Sequence, residues 1–173
     1  MLEIGMICAE AGEKIARVSA NMAMAADMEV RASSTATTGA YSSACQRGLP
    51  AILMERGGGG RFTDSEVQAY KRDVKNIMIR MGLLSGEEVH TVQQKNVTRA
   101  EYLEAETDGL WYPVFSAGDT FAGGAVLGTV RDIWGNLLRE YRADYPGIIL
   151  YQTVGLGVKT GDPLIAYGKY VDR

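Results

Sequence analysis

Apolar residues recur at helical spacing through the Ala- and Met-rich stretch of residues 10–26. Ile15, Val18, Met22, Ala25 and Ala26 predict an amphipathic helix packed on a sheet. Glu29-Val30-Arg31-Ala32 reads as a short strand, and Gly39 to Arg47 as a second helix closed by Gly48 and Pro50. Ala51–Glu55 follows with consecutive apolar residues, the pattern of a strand buried on both faces. Thr63-Asp64-Ser65-Glu66 fits a capping box, with Thr63 as the cap and Glu66 reaching back. Val67, Tyr70, Val74, Ile77, Met78 and Met81 then form one apolar stripe on a helix of about five turns, ended by Gly82 and Gly86. Residues 1–84 thus read as helix–strand–helix–strand–helix, a partial α/β layer.

Residues 85–106 are polar and charged, with Gln93-Gln94-Lys95-Asn96, and are expected to be a linker. From about residue 107 to 173 the pattern changes to short β-segments punctuated by glycine. An internal repeat runs through this part. Gly109-Leu110-Trp111-Tyr112 matches Gly147-Ile148-Ile149-Leu150, and Gly123-Gly124-Ala125-Val126-Leu127 matches Gly161-Asp162-Pro163-Leu164-Ile165. Two copies of one unit predict a small pseudo-twofold β-module, with Asp132-Ile133-Trp134-Gly135-Asn136 as the turn between them. Trp111, Tyr112, Phe115 and Trp134 are expected in its core.

Composition narrows the function classes. The 173 residues are 46% hydrophobic and 23% charged, which is globular and not disordered. A net charge of −3 and a pI near 5.3 leave no electrostatic footprint for nucleic acid. No apolar run reaches the roughly 20 residues that span a bilayer. Met1-Leu2-Glu3-Ile4-Gly5 has no basic n-region, so a cytoplasmic protein is expected. Cys8 and Cys45, the only cysteines, read as two buried free thiols.

The run Pro50-Ala51-Ile52-Leu53-Met54-Glu55-Arg56-Gly57-Gly58-Gly59-Gly60-Arg61 carries the candidate chemistry. A carboxylate at the end of an apolar strand is costly unless it has a role or a partner. Glycines beside it permit positive φ and the close approach of a ligand, and the carboxyl edge of an α/β sheet is where ligands bind. Glu55 is therefore a candidate acid or base, or else a strand-end carboxylate paired with Arg56 or Arg61. Arg56 and Arg61 are also candidate anchors for a substrate carboxylate, through bidentate hydrogen bonds. Arg31 and Arg47 share that chemistry but lie further from Glu55 in sequence.

The block from Gly48 to Arg61, the helix ending Asn76-Ile77-Met78-Ile79-Arg80-Met81-Gly82, and the segments Asp108-Gly109-Leu110-Trp111-Tyr112-Pro113 and Gly161-Asp162-Pro163-Leu164 together resemble the carboxy-terminal part of the succinylglutamate desuccinylase/aspartoacylase family. The resemblance covers essentially the whole chain. It implies a carboxypeptidase-like α/β layer followed by a module similar to a biotinyl/lipoyl-type barrel-sandwich hybrid. It also implies zinc-dependent amide hydrolysis of N-acyl amino acids or related compounds. In that family zinc, held by a His-x-x-Glu pair and a later His, polarises the carbonyl and activates water. A strand-end glutamate moves the proton from water to the leaving amine, and Glu55 occupies its place. Because the appended module narrows access to the family's site, the resemblance makes Tyr112 a further candidate for substrate contact.

The departure from the family is in the metal site. His90 is the sole histidine, it lies beside Glu87 and Glu88 in the polar segment, and no His-x-x-Glu occurs. The expectation is the last half of such an enzyme, inactive alone and binding no zinc as the family does. A non-catalytic binding or assembly role stays open, because a partial layer would leave a sheet edge and an apolar face in need of an upstream half or a second copy. A swinging-arm carrier does not fit, since the turn Arg131–Asn136 holds no lysine. A Ser42 or Ser43 triad does not fit either, for want of a nucleophile elbow and a nearby histidine.

Overall fold

The computed structural model describes residues 4–8, 12–34 and 37–171. The chain forms two compact units that part between Thr98 and Arg99. The first holds β1 (Ile4–Cys8), α1 (Glu13–Ala25), β2 (Val30–Ser34), α2 (Ala40–Gln46), β3 (Ile52–Glu55), α3 (Asp64–Arg80) and the start of β4 (Lys95–Glu104). Its strands lie in the order β3-β1-β2-β4. β1 runs parallel to β2 and antiparallel to β3, and β2 runs parallel to β4. Mixed α/β architecture is thus what the sequence pattern leads to, but several elements differ from that reading.

β1 has no counterpart in the sequence reading, yet it sits between β2 and β3. Among the described residues β3 is an antiparallel strand with one neighbour, and Ile52, Leu53 and Met54 are only half-buried. The expectation of a strand buried on both faces is therefore corrected: its apolar run lies at a sheet edge. The predicted linker is corrected too, since residues 95–104 form β4. There Val97 is fully buried while Lys95, Thr98, Arg99, Glu101 and other polar residues line the wet positions. Their charge disguised a half-buried strand.

The helices obey their local signals more closely than their apolar stripes. Thr63 caps α3 as expected: its hydroxyl accepts the Glu66 N–H at 3.3 Å, and Glu66 Oε2 accepts the Thr63 N–H at 2.6 Å. The buried face of α3, however, is Ala69, Asp73 and Asn76, and Val74, Met78 and Met81 are exposed. In α1 the buried centre is Ser19, Ala23 and Ala25. Ser19 Oγ accepts the Ala51 N–H at 3.1 Å, and Cys45 Sγ donates to the Ala51 carbonyl at 3.4 Å. These two contacts fix the chain just before β3. Cys45 is a buried free thiol; the side chain of Cys8 lies outside the described residues.

The second unit realises the internal repeat. It contains the rest of β4, β5 (Gly109–Pro113), β6 (Thr120–Phe121), β7 (Val126–Arg131), β8 (Leu137–Arg142), β9 (Gly147–Gln152), β10 (Gly157–Val158) and all but the last residue of β11 (Pro163–Val171). One sheet runs β10-β5-β7-β8, and the other has the order β4-β11-β9-β6. Each copy of the repeat supplies an antiparallel pair, β5 with β7 and β9 with β11. The short strands are exchanged: β6 pairs with β9, and β10 with β5. Trp111, Leu127, Val130, Ile149, Leu164 and Tyr167 are among the residues that form the core. Of the four aromatics expected there, Trp111 is buried and Phe115 packs against the core, but Tyr112 is partly exposed and Trp134 is 82% exposed. Trp134 stands at the tip of a turn that Asp132 closes by accepting the Trp134 and Asn136 N–H groups.

Candidate active site

β3 delivers Glu55 at its end, and the chain then turns through Gly57, Gly59 and Gly60, with φ of 74°, 59° and 70°. The Arg61 N–H donates to the Gly58 carbonyl at 3.1 Å. A side chain at Gly57 would meet the Arg61 carbonyl at 3.0 Å in addition to adopting a left-handed conformation, so glycine is required there. This tight turn sets Glu55 in solvent, where among the described residues its carboxylate makes no ion pair. Arg61 is also exposed and has no carboxylate partner among the described residues. The pairing of Glu55 with Arg56 or Arg61 left open by the sequence is absent.

Arg56 has a different place. Its side chain is 1% exposed; Nε donates to Asp73 Oδ2 at 2.9 Å and Nη2 to Asp73 Oδ1 at 3.0 Å. Nη2 also donates to the Asp27 carbonyl at 2.7 Å. The Tyr70 hydroxyl accepts the Arg56 N–H at 2.9 Å and donates to the Met54 carbonyl at 3.1 Å, bracketing the backbone of Glu55. Arg56 therefore holds the strand end in place, with its guanidinium directed at Asp73 and the Asp27 carbonyl. Tyr70 reads from sequence as one more apolar stripe residue, and Asp73 breaks that stripe; the break is the signal that could have singled it out.

Asp27 anchors the other side of this network. Its Oδ1 accepts the Thr91 N–H at 2.7 Å and the Val92 N–H at 3.1 Å, and its Oδ2 accepts Thr91 Oγ1 at 2.6 Å and Arg72 Nε at 3.0 Å. Its own N–H donates to Asp73 Oδ1 at 2.8 Å. Burial pushes the Asp27 pKa up, but the hydrogen bonds from Thr91 and Val92 and the Arg72 charge outweigh it and hold the carboxyl below its usual range. The segment before β4 is thus tied down. Asn76 adds a two-way hydrogen bond to Val89, at 2.8 and 3.0 Å.

Zinc of the kind the resemblance implies does not fit the residues present. His90 is exposed, and its Nε2 lies 3.0 Å from Glu88 Oε2, a carboxylate that also pairs with Arg80. Among the described residues no group of three His, Cys, Asp or Glu side chains could hold a metal ion. Tyr112 lies in the second unit on β5, 43% exposed, with the Arg131 guanidinium 5.9 Å from its ring centre. No helix among the described residues is long and apolar enough to cross a membrane.

No family model matches the chain. A curated relative, the N-alpha-acetyl-L-2,4-diaminobutyric acid deacetylase of Halomonas elongata, is 27% identical over 127 residues, which is 70% of this chain and 37% of that protein. The product-bound ectoine utilization protein EutE (DoeB) from Ruegeria pomeroyi superposes with a TM-score of 0.85 at 21% identity, over 97% of this chain and 53% of that one. A succinylglutamate desuccinylase/aspartoacylase from Rhodobacter sphaeroides gives a TM-score of 0.79 at 20% identity, over 99% and 55%. The chain has the succinylglutamate desuccinylase/aspartoacylase fold. The resemblance read from the glycine block is borne out at that level. The chain spans about half the length of these desuccinylase/aspartoacylase-type structures, and 37% of the curated deacetylase.

Proposed function

We propose that this chain is the carboxy-terminal part of an amidohydrolase that cleaves N-acyl amino acids or related amides, and that it is inactive alone. The observation that carries the reading is Glu55: an exposed carboxylate without an ion-pair partner among the described residues, at a strand end immobilised by Arg56 and Tyr70, beside a glycine turn that presents Arg61. The names of the similar proteins, a deacetylase and a desuccinylase/aspartoacylase, give the substrate class.

In this reading Glu55 takes a proton from the attacking water as the C–O bond forms. It returns that proton to the amine nitrogen as the C–N bond breaks. Arg61 pairs with a substrate carboxylate; Tyr112, on the appended module that we read as a barrel-sandwich-hybrid type, is a candidate for substrate contact through the family resemblance alone. Zinc belongs to the parent enzyme, where it would polarise the carbonyl; among the described residues of this chain no group of side chains could hold it. A cytoplasmic location is part of the same reading.

The test is hydrolysis of N-acetyl-2,4-diaminobutyrate and N-succinylglutamate by the 173-residue chain, with and without added zinc, alone and mixed with the missing half of a relative. We expect no turnover alone, and turnover in the mixture that Glu55→Gln lowers by about 10²–10⁴-fold. Zinc-stimulated, Glu55-dependent hydrolysis by the chain alone would overturn the inactivity. A mixture whose turnover is indifferent to Glu55→Gln would overturn the role of Glu55. The second reading, a non-catalytic assembly module, is favoured by one observation, the edge position of β3, which has no second neighbour among the described residues.

A further inference from the structure

Tyr70 is a half-buried residue of α3 whose hydroxyl serves both peptide groups that flank Glu55. It donates to the Met54 carbonyl at 3.1 Å, in the peptide before Glu55, and accepts the Arg56 N–H at 2.9 Å, in the peptide after it. One O–H group thus bridges a single residue, and turning either peptide bends or breaks one of its bonds. The phenol is itself held. The Arg56 guanidinium lies 5.8 Å from the Tyr70 ring centre, and Asp73, one turn further along α3, grips that guanidinium at two points.

Glu55 needs such a restraint. It is the last residue of β3, in register with Ile4 of β1, and the chain then runs into Gly57 to Gly60, where the backbone is least restricted. Successive side chains of an extended chain leave on opposite sides. Arg56 is drawn toward α3 until its side chain is 1% exposed, and the Glu55 side chain is left in solvent. The groups that hold Arg56 inward therefore also set the direction in which the carboxylate leaves the strand. Tyr70 does this without touching a reactant, because its proton is committed to the Met54 carbonyl. We propose that Tyr70 is a positioning residue for Glu55, fixing the two flanking peptides so that the carboxylate is aimed for proton transfer. The inference rests on the amidohydrolase reading above and adds to it the residue that aims the base.

Tyr70→Phe tests it, since the ring is kept and only the bridging hydroxyl is lost. In the 173-residue chain alone, exchange of the Arg56 amide is expected to speed up by tenfold or more. The backbone order parameter at Glu55 should fall from the rigid value of about 0.85 toward the flexible range below about 0.6. In the mixture that assays hydrolysis, kcat is expected to drop by about ten- to a hundredfold with KM changed by less than about twofold. A cycle with Glu55→Gln separates positioning from general loosening. In that background Tyr70→Phe should alter the residual turnover by less than about twofold, because nothing is left to aim. An equal loss in both backgrounds overturns the inference, as does a loss confined to KM or an unchanged Arg56 exchange rate. If Tyr70→Phe does not fold, Arg56→Lys, which keeps the charge against Asp73 but lacks the planar fork, is read by the same measurements. Glu55-dependent turnover that Tyr70→Phe leaves intact would sink the positioning role and keep the reaction. Where no mixture turns over, the reaction is lost, and the exchange rate and order parameter alone decide whether Tyr70 holds Glu55.

Discussion

Arg56 and Asp73 form a two-point ion pair at 2.9 and 3.0 Å, with both side chains essentially sealed from water. It joins the residue after Glu55 to the middle of α3, and through the Asp27 carbonyl and N–H to the turn after α1. The pair has no bulk solvent to fall back on. Removing one partner strands a buried charge, whereas replacing both need not.

Asp73→Leu is accordingly expected to destabilise the first unit by about 3–5 kcal/mol. An Arg56→Met, Asp73→Leu double variant should recover much of that loss. Urea unfolding of the four members of the cycle measures the coupling. Strict additivity of the two single changes would show that the pair is not a unit.

Asp27 gives the first unit an acid-sensitive anchor. Its folded-state pKa lies below the unfolded value of about 3.9, so its ionised form stabilises the fold above that value. The contribution is lost as pH falls through the lower folded-state pKa. Glu88, held down chiefly by the Arg80 hydrogen bond, acts in the same direction. The urea midpoint is expected to be flat from pH 7 to about 5 and to fall below about pH 4. Asp27→Asn should cost about 1.5–3 kcal/mol at pH 7 and flatten the acid limb. An unchanged acid limb in that variant would remove Asp27 from the account.

What the sequence disclosed and what it hid have separate physical causes. Thr63 and Glu66 mark the start of α3 because a capping box is a local device, written within four residues. Glu55 is legible for the same reason: strand end and glycine turn are adjacent in the chain. Arg56 is adjacent too, but adjacency does not say which way a side chain points. Its partners Asp73 and Asp27 lie 17 and 29 residues away. β4 is hidden by its charge, since Val97 is its one fully buried apolar residue. The α3 stripe failed because burial there falls on Asp73 and Asn76, whose partners are polar.

In the second unit, Trp111 lies across the bare backbone of Gly128. A methyl group at Gly128 would sit 2.2 Å from Trp111 Cη2, and the indole is locked edge-on against Tyr141 with ring centres 5.7 Å apart. Gly128→Ala must displace the ring, at a cost of about 1–3 kcal/mol or more. Fluorescence-detected unfolding in a Trp134→Phe background, which silences the exposed tryptophan, isolates this signal. A variant with unaltered emission and midpoint would contradict the contact.

Glu55 and Arg61 should behave in the opposite way, because nothing in the first unit depends on their charges. Among the described residues neither makes an ion pair, and both side chains are exposed. Glu55→Gln and Arg61→Ala are each expected to change stability by less than about 0.5 kcal/mol, as surface positions do. That sets them apart from Arg56 and Asp73 on the same loop-to-helix path. The distinction matters for function: a carboxylate kept at a strand end with no structural return is one that can be spent on a substrate. A loss above about 1 kcal/mol in Glu55→Gln, measured by urea unfolding, would reveal a structural partner and weaken the claim that Glu55 is held for chemistry. Neutral stability together with lost turnover in the assembled enzyme would separate the residue that acts from those that hold it.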